Sequence, residues 1–130
     1  AGVNVASISN GGTAYFNGDV TAYSDLRLKS NITKIDNAIE KVMQINGYTY
    51  DRVDDKNLGR QTGVIAQELI KVLPEAVRGT EETTYSVAYG NIAGLLIEAI
   101  KEQQAQIDEL KNNFVFKICR IISNIFKRKK

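Results

Sequence analysis

The sequence predicts an α+β domain in which short helices and small antiparallel strands precede one long C-terminal helix. Residues 1–23 are rich in small, β-branched and aromatic residues broken by glycine turns, which is typical of short strands. Near residue 40, apolar residues recur with helical spacing. From residue 92 onward, a longer series of apolar residues three or four apart predicts a helix with one apolar seam.

The composition excludes several kinds of active site. The 130 residues include no histidine and a single cysteine, Cys119. A Ser-His-Asp triad, a Cys-His dyad, a His-ligated zinc site and an internal disulfide are therefore excluded. The sequence has no phosphate-binding glycine loop, and its acidic pairs, such as Asp54-Asp55, are interpreted as solvated loop charges. We expect neither a metal nor a cofactor.

The charge is unevenly distributed. Residues 111–130 contain seven basic and no acidic residues, whereas the first 110 residues have a net charge of −5. The whole chain therefore has a net charge of +2. Two interpretations stay open for this basic segment: the solvated end of an oligomeric helix, or an amphipathic helix that contacts a membrane surface or nucleic acid. We expect the oligomeric helix, and no nucleic-acid partner.

Six elements are predicted in the middle of the chain. A helix over 36–45, capped by Asp36 or Asn37, presents one apolar face: Ile35, Ala38, Ile39, Val42 and Met43. Strands are expected at 48–50 and 62–65, followed by a helix at 66–73 that Pro74 ends. Residues 76–77 and 84–85 are expected to pair as strands.

The final helix is predicted to begin with Ser86 as its cap and to continue into a coiled-coil-like seam. The seam comprises Ile100, Gln103, Ile107, Leu110, Phe114, Ile118, Ile121 and Ile125. A domain of this size has no core left for such a helix, so we expect it to pack on copies of itself. The alternative is a helix that folds back on its own domain.

One nucleophile arrangement remains without histidine. Ser24 lies five residues before Lys29, and a neutral lysine can take the proton of a serine hydroxyl. Arg27 lies close enough in sequence to favour the neutral form by charge repulsion. Spacing alone does not separate this dyad from a solvated lysine beside a helix-entry serine.

The longer string around these residues is more specific. The segment from Ser24 to Ile32 resembles the S-D-x-R-L-K-x-N-I signature of the intramolecular chaperone domain of phage tail spikes, endosialidases and neck appendages, a family of self-cleaving Ser–Lys peptidases. Three further blocks follow in the same order, namely TGVIAQE at 62–68, YSVAY at 85–89 and LLIEAIKE at 95–102. The resemblance extends from about residue 15 to residue 111.

The resemblance implies a homotrimer that holds its own fibre stalk in register and then cuts itself free between Tyr23 and Ser24. Ser24 would be the nucleophile and Lys29 the base. Asp25 would orient Ser24, the amides of Asn31 and Gln67 would polarise the carbonyl, and Glu68 would pair with Arg27 or Lys29.

The implied organisation has three parts. Residues 1–23 would end the fibre, 24–111 would form the chaperone domain, and 112–130 would be a basic amphipathic extension. Assembly would take place in the host cytoplasm, and the stalk would enter the virion while the chaperone domain is released. Two alternatives lack cleavage: a structural trimerisation tip and a receptor-binding tip.

Overall fold

The computed structural model describes residues 6–8 and 14–127, with side chains from 14 to 120. The chain forms two compact units, residues 1–33 and residues 34–130. The predicted mixture of short helices, small antiparallel strands and a long final helix is confirmed.

The first unit is a hairpin followed by a tight turn. Strand β1 (Ala6–Ile8) pairs antiparallel with β2 (Ala14–Phe16), with Ala6 opposite Phe16. The predicted Asn10-Gly11-Gly12 turn lies outside the described residues. A single 3-10 turn follows at Leu26–Leu28. Every side chain from 14 to 33 is exposed, so this unit has no core of its own among the described residues.

Helix α1 (Ala38–Met43) forms within the predicted range and turns most of the predicted apolar face towards the core. Ala38 is fully buried, and Ile35 and Val42 pack against the core from its edge. Met43, predicted to be buried, is 78% exposed. Asn37, one of the two predicted caps, is the N-cap residue, but its backbone is left-handed with φ 47° and its side chain makes no capping bond.

Two small antiparallel pairs follow α1. Strands β3 (Tyr48–Tyr50) and β4 (Gln61–Gly63) confirm the two predicted strands and pair with each other. Strand β4 begins one residue earlier and ends two residues earlier than the predicted 62–65. Strand β5 (Val77–Arg78) pairs with β6 (Ser86–Val87), with Val77 opposite Val87. Compared with the expected pairing of 76–77 with 84–85, both strands are displaced towards the C-terminus by one to two residues.

Two helix boundaries differ from the prediction. Helix α2 (Ala66–Leu69) is shorter than the predicted 66–73, because turns occupy the next residues up to the 3-10 segment Pro74–Ala76. Ser86 does not cap the last helix, since it already lies in β6. A 3-10 turn at Tyr89–Asn91 leads directly into helix α3 (Ile92–Lys127).

The core of the second unit is small. It consists of one residue from α1, one from α3 and four from the stretch that runs from the end of α2 to the start of β5: Ala38, Leu95, Leu69, Leu73, Ala76 and Val77. Only the first turns of α3 contribute to it. From residue 103 to residue 120, every side chain of α3 is exposed, so the described part of the helix does not fold back on its own unit.

No helix within the described residues has the length and apolar character required to cross a bilayer.

Candidate functional site

The turn that carries Ser24 and Lys29 is held by backbone and side-chain hydrogen bonds. Leu28 N donates to Asp25 O and Lys29 N to Leu26 O, both at 3.1 Å. Asp25 caps the turn, because its Oδ1 accepts from Arg27 N at 2.8 Å. Asp is favoured at such a position because its short side chain reaches backbone N–H groups two residues ahead. The turn is therefore specified locally.

Asp25 also pairs with the side chain of Arg27. Arg27 Nε donates to Oδ1 at 3.0 Å and Nη2 donates to Oδ2 at 2.6 Å, a two-pronged arrangement. This pairing lowers the pKa of Asp25 and raises that of Arg27. The expected repulsion of Lys29 by Arg27 is thus weakened, since a carboxylate already balances the guanidinium charge.

The turn brings the two candidate catalytic side chains together. Lys29 follows the turn in an extended conformation, with φ −121° and ψ 141°. Its Nζ donates to Ser24 Oγ at 2.8 Å, and both side chains are exposed. A base within hydrogen-bond reach of a hydroxyl is the geometry that nucleophilic activation requires. The preceding residue, Tyr23, is 97% exposed.

Asn31 lies two residues beyond Lys29. Its φ of 52° is in the left-handed region, where asparagine is several-fold enriched. Its side chain is exposed. The left-handed backbone is by itself a sufficient reason for an asparagine at this position. The predicted role of Asn31 as a carbonyl-polarising amide stays a prediction.

Glu68 and Gln67 belong to the second unit. Glu68 Oε1 accepts from the Tyr48 hydroxyl at 2.7 Å, and Oε2 accepts from Asn46 N at 3.1 Å. The Tyr48 hydrogen bond is the main reason that the pKa of Glu68 is lowered, and the same bond raises the pKa of Tyr48. The predicted pairing of Glu68 with Arg27 or Lys29 stays a prediction; in the single chain Glu68 ties α2 to β3.

Gln67 is exposed rather than buried. It lines a cleft of about 660 Å³ together with four tyrosines: Tyr48, Tyr50, Tyr85 and Tyr89. Glycine at position 63 leaves room for Tyr89 in this cleft, because a Cβ at Gly63 would lie 2.3 Å from the Tyr89 hydroxyl oxygen. The role predicted for Gln67 stays a prediction.

Comparison with known proteins finds one family whose model matches part of the chain. Residues 24–78 match the family described as chaperone of endosialidase. The matched segment begins at Ser24 and contains all six candidate residues: Ser24, Asp25, Lys29, Asn31, Gln67 and Glu68.

The relatives are phage tail fibre proteins. The chain is 42% identical over 124 residues to the long tail fibre protein of Enterobacteria phage M1, covering 89% of this chain and 49% of the relative. It is 43% identical over 117 residues to that of Enterobacteria phage Ox2, covering 84% and 47%. With the long tail fibre protein of Salmonella phage S16 it shares 32% identity over 124 residues, covering 85% and 17%. The chain spans about half the length of the first two relatives.

The sequence prediction missed one residue that anchors α1. Glu102 on α3 caps α1 from a distance of 64 residues: its Oε1 accepts from Ala38 N and its Oε2 from Ile39 N, both at 2.9 Å. These two bonds lower the pKa of Glu102. A signal was present in the sequence, since Glu98 and Glu102 lie one turn apart on the side of α3 that carries Leu95.

Glu98 extends the same link. It pairs with Lys34 at 3.0 Å and with Lys101 at 2.7 Å, and both contacts lower its pKa. Lys34 is the first residue of the second unit. The start of α3 thus holds the point at which the chain enters that unit.

Among the described residues, no three His, Cys, Asp or Glu side chains converge as a metal site would require.

Proposed function

We propose that this chain is the intramolecular chaperone of a phage long tail fibre, which trimerises, registers the preceding stalk and releases itself by cleavage between Tyr23 and Ser24. The observation that carries the proposal is the 2.8 Å hydrogen bond from Lys29 Nζ to Ser24 Oγ. The match of residues 24–78 to the chaperone of endosialidase family and the similarity to long tail fibre proteins support it.

The reaction proceeds in two steps. Lys29, in its neutral form, takes the Ser24 hydroxyl proton while Oγ bonds to the Tyr23 carbonyl carbon. The C–N bond then breaks and Lys29 returns the proton to the leaving Ser24 nitrogen, which leaves an ester. Water hydrolyses that ester to give a Tyr23 carboxylate and a free Ser24 amine and hydroxyl. Amides such as Asn31 and Gln67 are suited to stabilising the oxyanion.

Assembly supplies the condition that this chemistry needs. Ser24 and Lys29 are exposed in the single chain, where water stabilises a charged ammonium. Covering them with a neighbouring copy would favour the neutral amine that a base requires. Cleavage would then follow assembly rather than precede it, with Glu68 as one candidate for the coupling contact.

The proposed trimer uses apolar surface that one chain leaves open. Ile107 and Leu110 on α3 are 38% and 68% exposed. Closer to the core, an apolar groove lies between α1 and α3, lined by Ile39, Val42, Met43, Leu96, Ala99, Ile100, Gln103 and Gln106. In the proposed trimer another copy would cover this groove, which would explain why Met43 is exposed in the single chain.

Registration of the stalk follows from trimerisation. Joining three chains at one end converts slow strand pairing along the fibre into a local event at high effective concentration. Removal of the joining domain then makes assembly hard to reverse, because the stalk has lost its nucleation point. Assembly in the host cytoplasm, a stalk in the virion and a released chaperone domain with the basic helix 112–130 complete the proposal.

Mass spectrometry of the protein with its preceding stalk tests the chemistry. We expect a new N-terminus at Ser24 without added protease or metal, faster as pH rises because the base must be unprotonated. Ser24→Ala and Lys29→Ala should abolish it, and Lys29→Arg should not restore it, because arginine stays charged. Ser30→Ala is the matched control and should cleave normally. Cleavage of the Ser24→Ala protein at the same bond would refute the mechanism.

Light scattering tests the trimer independently. Ile107→Asp with Leu110→Asp should give monomers or insoluble protein, because six unpaired charges would enter one seam. Asn112→Asp with Asn113→Asp adds the same charge outside the seam and should leave the trimer intact. A trimer that survives the first pair of changes would exclude this seam.

A non-catalytic trimerisation or receptor-binding tip is the second candidate. The Ser24–Lys29 turn is fully exposed, and without another copy to bury it Lys29 would not become the neutral base that cleavage requires. That exposure favours a tip that does not cleave itself. An uncleaved chain in mature particles would identify it.

A further inference from the structure

A cavity of about 370 Å³ lies beside the proposed scissile bond. Its lining consists of four residues of the first unit: Tyr23, Asp25, Arg27 and Leu28. Tyr23 carries the carbonyl that Ser24 would attack, so the cavity borders the residue on which negative charge would develop. The two amides predicted to polarise that carbonyl, on Asn31 and Gln67, do not line this cavity in the single chain.

The proposed reaction needs hydrogen-bond donors at the Tyr23 carbonyl. When Ser24 Oγ bonds to the carbonyl carbon, an electron pair of the C=O bond moves onto the oxygen, which becomes an oxyanion. Donors that already lie where this charge develops lower the barrier, and removal of one donor typically slows acyl transfer about 10²–10³-fold. Such a donor has to be held in place beforehand, because ordering it during the reaction would cost free energy.

Arg27 brings suitable donors to this cavity. A guanidinium has five N–H groups and stays protonated at any usable pH. Its Nε donates to the Asp25 carboxylate at 3.0 Å and its Nη2 at 2.6 Å. Its Nη1 makes no hydrogen bond to the described residues. Because the Arg27 side chain is 88% exposed, the Nη1 donors are accessible to a new acceptor.

Asp25 fixes the orientation of that guanidinium. Its carboxylate accepts from the Arg27 backbone N at 2.8 Å as well as from the side chain, so both parts of Arg27 are bound to one group. A planar guanidinium held at Nε and Nη2 has a defined orientation, which a lysine ammonium in its place would lack. Asp25 directly follows Ser24, so the pair is anchored one residue from the proposed nucleophile.

We propose that Arg27 is a catalytic residue of the self-cleavage, whose Nη1 donates to the Tyr23 oxyanion, and that Asp25 is its positioning residue. The oxyanion then collapses: its electron pair restores the C=O bond, the C–N bond to Ser24 breaks, and Lys29 gives the proton to the leaving nitrogen. Arg27 keeps its own protons throughout. Covering by another copy would strengthen the contact by excluding water. This inference rests on the proposed cleavage between Tyr23 and Ser24.

Single-turnover cleavage rates measured against pH test the proposal on the full chain with its preceding stalk. Arg27→Ala should lower the maximal rate about 10²–10³-fold and leave the pH of the half-maximal rate unchanged, because Lys29 is still the base. Asp25→Asn keeps an oxygen that can cap the turn but weakens the hold on Arg27, so it should lower the rate less. Arg60→Ala removes another exposed arginine that is paired with an aspartate, and should cleave like the wild type.

Two further measurements separate catalysis from a structural role. Guanidinium ions at a non-denaturing concentration should accelerate cleavage of the Arg27→Ala protein and not of the Lys29→Ala protein, since a guanidinium cannot act as a base. Adding Asp25→Asn to Arg27→Ala should slow cleavage no further, because Asp25 acts through Arg27. Hydrogen exchange at the Leu28 and Lys29 amides reports whether the turn persists, since both are bonded within it.

The contrary outcomes are distinct. Wild-type cleavage by the Arg27→Ala protein would overturn this inference and leave the proposed function standing. A half-maximal pH moved upward at an unchanged maximal rate would also overturn it, because Arg27 would then act by charge repulsion on Lys29. Slow cleavage with a lost turn and no response to guanidinium would assign Arg27 to folding of the turn alone. A wild-type chain that never cleaves would overturn the proposed function and this inference together.

Discussion

The two units of this protein are stabilised in different ways. Residues 14–33 expose every side chain, and their tight turn is held by bonds between residues two to five apart. Residues 34–130 enclose a core with Leu69 and Leu95 fully buried, and bonds across more than sixty residues link α1 to α3. The candidate catalytic pair is on the first unit. The site is thus specified by local sequence, whereas the scaffold depends on tertiary packing.

The largest expected difference in stability between the two units is tested with two leucines. Leu95→Ala removes a fully buried side chain and should reduce the free energy of unfolding by about 2–5 kcal/mol. Leu28→Ala, at a position 70% exposed, should change it by less than about 0.5 kcal/mol. Chemical denaturation of both variants in the Ser24→Ala background measures this. Equal effects would mean that the turn at Leu26–Leu28 packs against another surface in solution.

Two glycines sharpen the same contrast. Gly79 has φ 92°, and an added Cβ would lie 2.0 Å from the Thr84 carbonyl oxygen. Gly79→Ala should therefore destabilise the second unit by about 2 kcal/mol, through backbone strain and collision with the chain. Gly18→Ala in the first unit meets nothing within 4 Å and should be neutral. A neutral Gly79→Ala in thermal unfolding would contradict the tight connection between β5 and β6.

Removal of the distant cap of α1 should give the next smaller effect. Glu102→Ala removes the distant cap of α1 and should lower the melting temperature near neutral pH, while Glu109→Ala, exposed on the same helix, should not. The pKa of Glu102 lies below its ordinary value of 4.5. Its contribution is therefore present above that value and is lost as pH falls through the folded-state pKa. The stability difference from wild type should shrink on acidification; a constant difference would show that Glu102 acts by packing rather than charge.

Asp25→Ala should have the smallest effect on global stability. Its carboxylate is exposed, and it holds only the turn at Leu26–Leu28. We expect an unchanged melting temperature, with faster hydrogen exchange at the Arg27 amide because its acceptor has gone. Cleavage should slow if this turn positions Lys29 on Ser24. Unchanged Arg27 exchange would show that the turn forms without its cap.

The sequence by itself determined the features that depend on neighbours along the chain. The alternation at Tyr48–Tyr50, the helical repeat of α3 and the closeness of Ser24 to Lys29 all follow from residues within one or two turns of each other. The motif from Ser24 to Ile32 also indicates the family by itself, because the residues that carry it are consecutive.

Only the tertiary structure decided the features that join distant residues. The capping of α1 by Glu102, the contact of Glu68 with Tyr48 and the pairing of Val77 with Val87 connect residues 10 to 64 apart. The exposure of Met43 is of the same kind, because the rotation of α1 depends on how Ala38 packs in the core. Local propensity does not contain this information, since each such contact is selected by the chain that happens to lie opposite once the core has closed.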